Sequence, residues 1–121
     1  MIEINDKVIL VDAGPDIRNQ LLPLGLKRID ALLITHTHSD HVAGLDDLRA
    51  FYWPDRVDIP VYATKQHSIE ILARFPYLFT KHADSPSYFV PPMKMSLIAA
   101  NDILEIGGLL KLIRSALVEQ V

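Results

Sequence analysis

The chain has 121 residues, a formal net charge of -3 and no cysteine. The length suits one domain or part of one, and the mild acidity, with no basic run, argues against a nucleic-acid-binding surface as the main business. Without cysteine, disulfides and thiolate metal sites are excluded, so any bound metal must be held by His, Asp or Glu.

Met1-Ile2-Glu3-Ile4-Asn5-Asp6 has no basic region leading into an apolar run, and no apolar run is long enough to span a bilayer. A cytoplasmic chain with no membrane partner is expected. Met1 to Ile4 and Lys7 to Asp12 read as two strands joined by a tight turn at Asn5-Asp6. The second is apolar on both faces, which predicts a central, buried strand. Pro15 fits a first helical position and Asp16 suits the positive end of the helix dipole. The helix is expected to run to about Leu22, with Ile17, Leu21 and Leu22 on the sheet. Ile29 to Thr35 reads as the next strand, reached by a parallel crossover. Two parallel strands ending at one sheet edge would bring Asp12 close to His36.

Gly44 to about Phe51 reads as a short helix, and Ile59 to Ala63 as a strand. Lys65 to Arg74 reads as an amphipathic helix with Ile69, Leu72 and Ala73 on one face and Thr64 as N-cap. Residues 80–92 read as a long polar loop. Met95 to Ala99 and Asp102 to Ile106 are candidate strands, with Gly107-Gly108 as a turn. Residues 109–121 have a helical apolar spacing.

The chemistry concentrates in His36-Thr37-His38-Ser39-Asp40-His41. Three of the five histidines fall within six residues, directly after the apolar run Ala31-Leu32-Leu33-Ile34. Two imidazoles two residues apart can bind one ion, and Asp40 and His41 can turn toward a second. Zinc takes nitrogen and oxygen ligands at about 2.0–2.2 Å and keeps an open position for water when the site is catalytic. Two ions about 3.5–4 Å apart can share a hydroxide and clamp a phosphoryl or carbonyl group. A solvated loop that is rich in histidine by chance is the alternative, but scattered histidines would rarely cluster this way. The spacing excludes a helical His-Glu-x-x-His protease site.

This hexad resembles the His-x-His-x-Asp-His motif of the metallo-β-lactamase superfamily. Val11 to Asp16, Ile34-Thr35, Gly44 to Arg49 and Phe75-Pro76-Tyr77 narrow the resemblance to the branch of cyclic-phosphate phosphodiesterases, with the ribonuclease Z group as a further relative. The resemblance covers residues 1–108. It implies an α/β fold, the N-terminal half of an αβ/βα sandwich, with residues 109–121 as a helical tail that departs from the family pattern. It also implies that His36 and His38 bind one metal and that Asp40 and His41 bind a second. Asp40 would orient or deprotonate the bridging water, and Asp12 would hold a ligand histidine from behind. Asp12 has a simpler alternative role, capping the turn before Pro15.

The implied cofactor is zinc, two ions in a complete site, with manganese or iron as alternatives. The implied activity is metal-dependent hydrolysis of a small-molecule phosphodiester by a metal-bound hydroxide. The family's later metal ligands have no counterpart in this chain. The rival expectation is therefore a truncated, non-catalytic remnant binding one metal weakly or none. Acyl or thioester hydrolysis is a third reading, because such a centre also polarises a carbonyl. An unpaired strand edge in a partial sheet would invite a homodimer.

Outside the motif the residues have plainer readings. His67 is expected to be solvated or partly packed, and His82 is not expected to face substrate. Asp46 and Asp47 read as dipole partners near a helix start. Arg49 reads as the ion-pair partner of Asp46, with phosphate contact the sharper alternative. Phe51-Tyr52-Trp53 reads as packing, with one of the three lining the pocket.

Overall fold

The structure is a computed structural model that describes residues 1–4, 6–52, 56–81, 83–99, 103–106 and 109–112. Five strands form one sheet in the order β1 (Ile2–Ile4), β2 (Lys7–Val11), β3 (Ala31–Leu33), β4 (Ile59–Ala63), β5 (Met93–Leu97). The β1–β2 pair is antiparallel and the other three pairings are parallel. The sheet is thus built from crossovers, as the alternation of apolar runs with helical segments requires. A separate antiparallel hairpin joins β6 (Ile103–Ile106) to β7 (Leu109–Leu112).

Register explains the core. Leu10 pairs with Leu32, Leu32 with Val61 and Val61 with Met95, placing one apolar row on a single face. That face packs on Ile17, Leu21, Val42, Leu45, Leu48, Ile71 and Leu78 from the helical segments. The opposite face carries Ile9, Ala31 and Leu33, clustered with Ile98 and Tyr62. As expected for a central strand, Val8, Ile9 and Leu10 of β2 are all buried.

Helix α1 spans Ile17–Leu21, so Pro15 and Asp16 lie in the preceding turn rather than in its first turn. The Ile17 amide closes that turn on the Gly14 carbonyl. Leu22–Leu24 continues as a 3-10 turn, because Pro23 has no amide hydrogen to extend the helix, and Gly25 ends it at a φ of 62°. Leu22 points outward instead of onto the sheet. The β3 strand is shorter than the expected Ile29 to Thr35, although the Ile34 amide still bonds the Tyr62 carbonyl. Residues Leu45–Phe51 form a 3-10 helix, with Asp47 N–H on Gly44 O and Tyr52 N–H on Arg49 O.

Helix α2 is the short segment Ser39–Val42, and α3 spans Lys65–Arg74 as expected. The buried face of α3 differs from the expected one: Ser68 and Ile71 are buried, while Ile69 is exposed. Thr64 occupies the N-cap position without a side-chain cap bond; its hydroxyl contacts His67 Nδ1 at 3.2 Å. Helix α4 spans Pro76–Phe79. Strand β5 starts two residues earlier than expected, at Met93.

The expected helical tail is corrected over Leu109–Leu112, which form strand β7 against β6. A short, almost continuously apolar run fits either period, and pairing with β6 decides between them. Positions 107, 108 and 113–121 lie outside the described residues, as do His82 and Trp53.

Candidate metal centre

The histidine loop leaves the C-terminal end of β3. Residues 34–38 have no regular secondary structure, and α2 begins at Ser39. Beside it, β2 ends at Val11 and the chain turns at Asp12, which adopts a φ of 64°. A left-handed conformation is uncommon for a residue with a side chain, and here it coincides with a dense bonding role. Asp12 N–H donates to Leu33 O at 2.7 Å. Asp12 Oδ1 accepts from the Thr35 amide at 2.8 Å. Its Oδ2 accepts from Thr35 Oγ1 at 2.6 Å and pairs with His41 Nδ1 at 2.7 Å.

These bonds fix tautomers. Thr35 has one hydroxyl hydrogen, and it is committed to Asp12. The 3.1 Å contact between Thr35 Oγ1 and His36 Nδ1 therefore requires Nδ1 to be the donor, leaving the His36 Nε2 lone pair free. By the same logic His41 donates from Nδ1 to Asp12 and keeps Nε2 as an acceptor. Asp12 was expected close to His36; its carboxylate bonds instead to Thr35, the residue before His36, and to His41.

Donor atoms of His36, His38 and Asp40 lie within 4.8 Å of one another. The His36 ring stands edge-on to His38, centroids 4.7 Å apart, and lies 3.7 Å from the His41 ring. His41 Nε2 is 3.4 Å from Asp40 Oδ2. Burial, and then the proximity of His41 and His38, push the His36 pKa below its ordinary 6.5, against the opposing pull of Asp12 and Asp40. A neutral imidazole is the form that ligates. The donor set thus fits a divalent ion of the zinc type: imidazoles, Nε2 being free on His36 and His41, an exposed carboxylate, and a carboxylate behind one histidine.

Two glycines make this approach possible, and the sequence reading did not single them out for it. A Cβ at Gly14 would lie 2.6 Å from the Asp40 carbonyl oxygen, and one at Gly44 would lie 2.0 Å from the Gly14 carbonyl oxygen. The loops are stitched together there, with Ala13 N–H on His41 O at 2.7 Å and Gly44 N–H on Ala13 O at 2.9 Å. An open cavity of about 500 Å³ next to the loop is lined by Asp12, Gly14, Asp40 and His41 together with Leu10, Ile17 and Leu21.

The remaining polar residues stand apart. Arg49 pairs with Asp46 at 3.1 Å, the plainer of its two readings. The Tyr77 hydroxyl also bonds Asp46, and its pKa is raised by burial first and by that bond second. Asp46, Asp47 and Arg49 line a separate groove of about 680 Å³ that contains no histidine. Tyr52 is buried and Phe51 packs against the core, as expected of packing residues.

The fold and this loop define a metallo-β-lactamase-like domain. Residues 7–114 match the family described as the Beta-lactamase superfamily domain, and the chain belongs to it. A crystal structure of a diphosphatase from the PhnP family superposes with a TM-score of 0.75 at 29% identity, covering 91% of this chain and 39% of that one. An octanoyltransferase of Porphyromonas gingivalis is 45% identical over 76 residues, 63% of this chain and 15% of that protein. A ribonuclease Z of Bradyrhizobium sp. is 42% identical over 50 residues, 40% of this chain and 17% of that protein. The chain therefore spans only a minor part of the length of these relatives. Proteins of this fold are generally hydrolases, and the grouped His36, His38 and Asp40 agree with a metal-binding member.

Proposed function

We propose that the chain carries the ligand loop of a zinc-dependent hydrolase centre acting on phosphodiesters, small cyclic phosphates among them. The observation that carries this reading is the convergence of His36, His38 and Asp40 donor atoms within 4.8 Å. Support for phosphorus–oxygen chemistry comes from the likeness to a PhnP-family diphosphatase and to a ribonuclease Z. The octanoyltransferase carries no substrate to this chain, because the shared segment is 15% of that protein.

Zinc, when bound, supplies Lewis acidity to a phosphoryl oxygen and acidifies a water molecule. The chain's own residues would do the rest. His36 and His38 each present a ring nitrogen, with the His36 tautomer set by Thr35. His41 is oriented by Asp12, which accepts a hydrogen bond from its Nδ1–H and leaves the Nε2 lone pair free. The Asp40 side chain is 75% exposed, so its carboxylate can accept a proton from the attacking water at the mouth of the site.

The second reading, a chain that holds an ion without turnover, is favoured by how few donors come together among the described residues. Hydrolysis of bis(p-nitrophenyl) phosphate by the zinc- or manganese-loaded chain separates the two. Turnover that disappears in His38→Ala is expected. A metal-loaded chain with no turnover, or equal turnover in the variant, would favour the non-catalytic reading.

A further inference from the structure

We infer that Glu70 and Arg74 of α3 are positioning residues that set the ligand geometry of His36 and His38 through Thr37. The inference rests on the proposed metal reading and concerns how that loop is held. The loop has no ladder of its own between Ile34 and Ser39, so its side chains must be fixed from outside. Thr35 Oγ1 touches His36 Nδ1, and Thr37 is the residue between His36 and His38, so fixing the two threonines restrains the backbone that carries both histidines. Thr35 is fixed by Asp12 from the β2 side. Thr37 is buried and is fixed from the opposite side by α3.

Two bonds do this. The Thr37 hydroxyl donates to the Glu70 carboxylate. The Arg74 guanidinium donates to the Thr37 carbonyl oxygen at 2.6 Å. Glu70 and Arg74 are four residues apart, so they share one face of α3 and grip one residue from a single rigid element. Both bonds involve a charged partner and are stronger than neutral ones. The base of the grip is firm: Ile71, between them, is fully buried, and Ser68 is buried with its hydroxyl on the Lys65 carbonyl. The topology supplies the reach, since β4 lies next to β3 in parallel and α3 starts two residues after β4, at the sheet end where the histidine loop emerges.

The test is zinc affinity, measured by competition with a chromogenic chelator, together with the visible spectrum of the cobalt-loaded chain. Thr37→Val, which keeps the shape and removes the hydroxyl, and Glu70→Ala are each expected to weaken zinc binding by about 10-fold or more. Both should alter the cobalt absorption bands. Glu70→Gln retains an oxygen acceptor and should stay close to wild type. The double variant Thr37→Val/Glu70→Ala should lose no more than either single, because one bond is removed twice. Thermal melting of the metal-free variants reports whether each folds, and Thr37→Val carries the test if Glu70→Ala does not. Wild-type zinc affinity and an unchanged cobalt spectrum in both single variants, or fully additive losses, would overturn the inference alone. Absence of zinc binding by the wild-type chain would overturn the metal reading and this inference with it.

Discussion

At the scale of single residues, Asp12 has the largest share of the argument. One carboxylate accepts from the Thr35 amide, the Thr35 hydroxyl and His41 Nδ1, and it does so from a left-handed backbone position. An asparagine there would keep the volume but present one acceptor oxygen and one amide donor where two acceptors are needed. Asp12→Asn is therefore expected to weaken zinc binding by about 10- to 100-fold, as measured by chelator competition. Unchanged affinity would mean that Asp12 serves only the turn before Pro15. The residues of the hexad were readable in the sequence because they are local: six consecutive positions carry all four potential ligands. Asp12 was readable at one remove, because parallel strands end at one sheet edge. Glu70 and Arg74 were not, since their role exists only once α3 has packed beside the loop.

Among the elements, the decisive contact is between the turn after β2 on one side and α2 with the glycine that follows it on the other. Their backbones approach so closely that no side chain fits between them at Gly14 or Gly44. Gly44→Ala would drive a Cβ to 2.0 Å from backbone oxygen, which cannot rotate away as a side chain could. The variant should lose roughly 1–3 kcal/mol of stability or more in denaturant unfolding, and its zinc affinity should fall with it. A stable variant with normal zinc binding would show that the loops can separate without harm to the site. The element reading from sequence found the bounds of β4 and α3, although α3 buries Ser68 and Ile71 rather than the expected face, and it failed where period and punctuation disagreed. Leu109-Leu110-Lys111-Leu112 has apolar residues compatible with either period, and only the β6 partner makes it a strand. Gly44 to Phe51, read as a short helix, is one over Leu45–Phe51, of the 3-10 type.

For the whole molecule, the sheet holds the ends of β2 and β3, which lead into Asp12 and the histidine loop, side by side. Leu32 lies at its centre, between Leu10 and Val61, with no exposure. Leu32→Ala should destabilise the chain by about 2–5 kcal/mol, read from the denaturant midpoint, which is a large part of the stability of a small domain. A loss well below that range would mean that the sheet centre can collapse around the gap. Family membership and the fold follow from the match over residues 7–114, whereas the substrate lay beyond the sequence, because the chain spans 39% of the PhnP-family structure it resembles. The account as a whole depends on the histidine loop holding an ion. Elemental analysis of the purified, dialysed chain beside His36→Ala tests that most directly. A divalent ion retained by the wild-type chain and lost from the variant is the predicted result; a metal-free wild-type chain, or equal metal content in both, would contradict it.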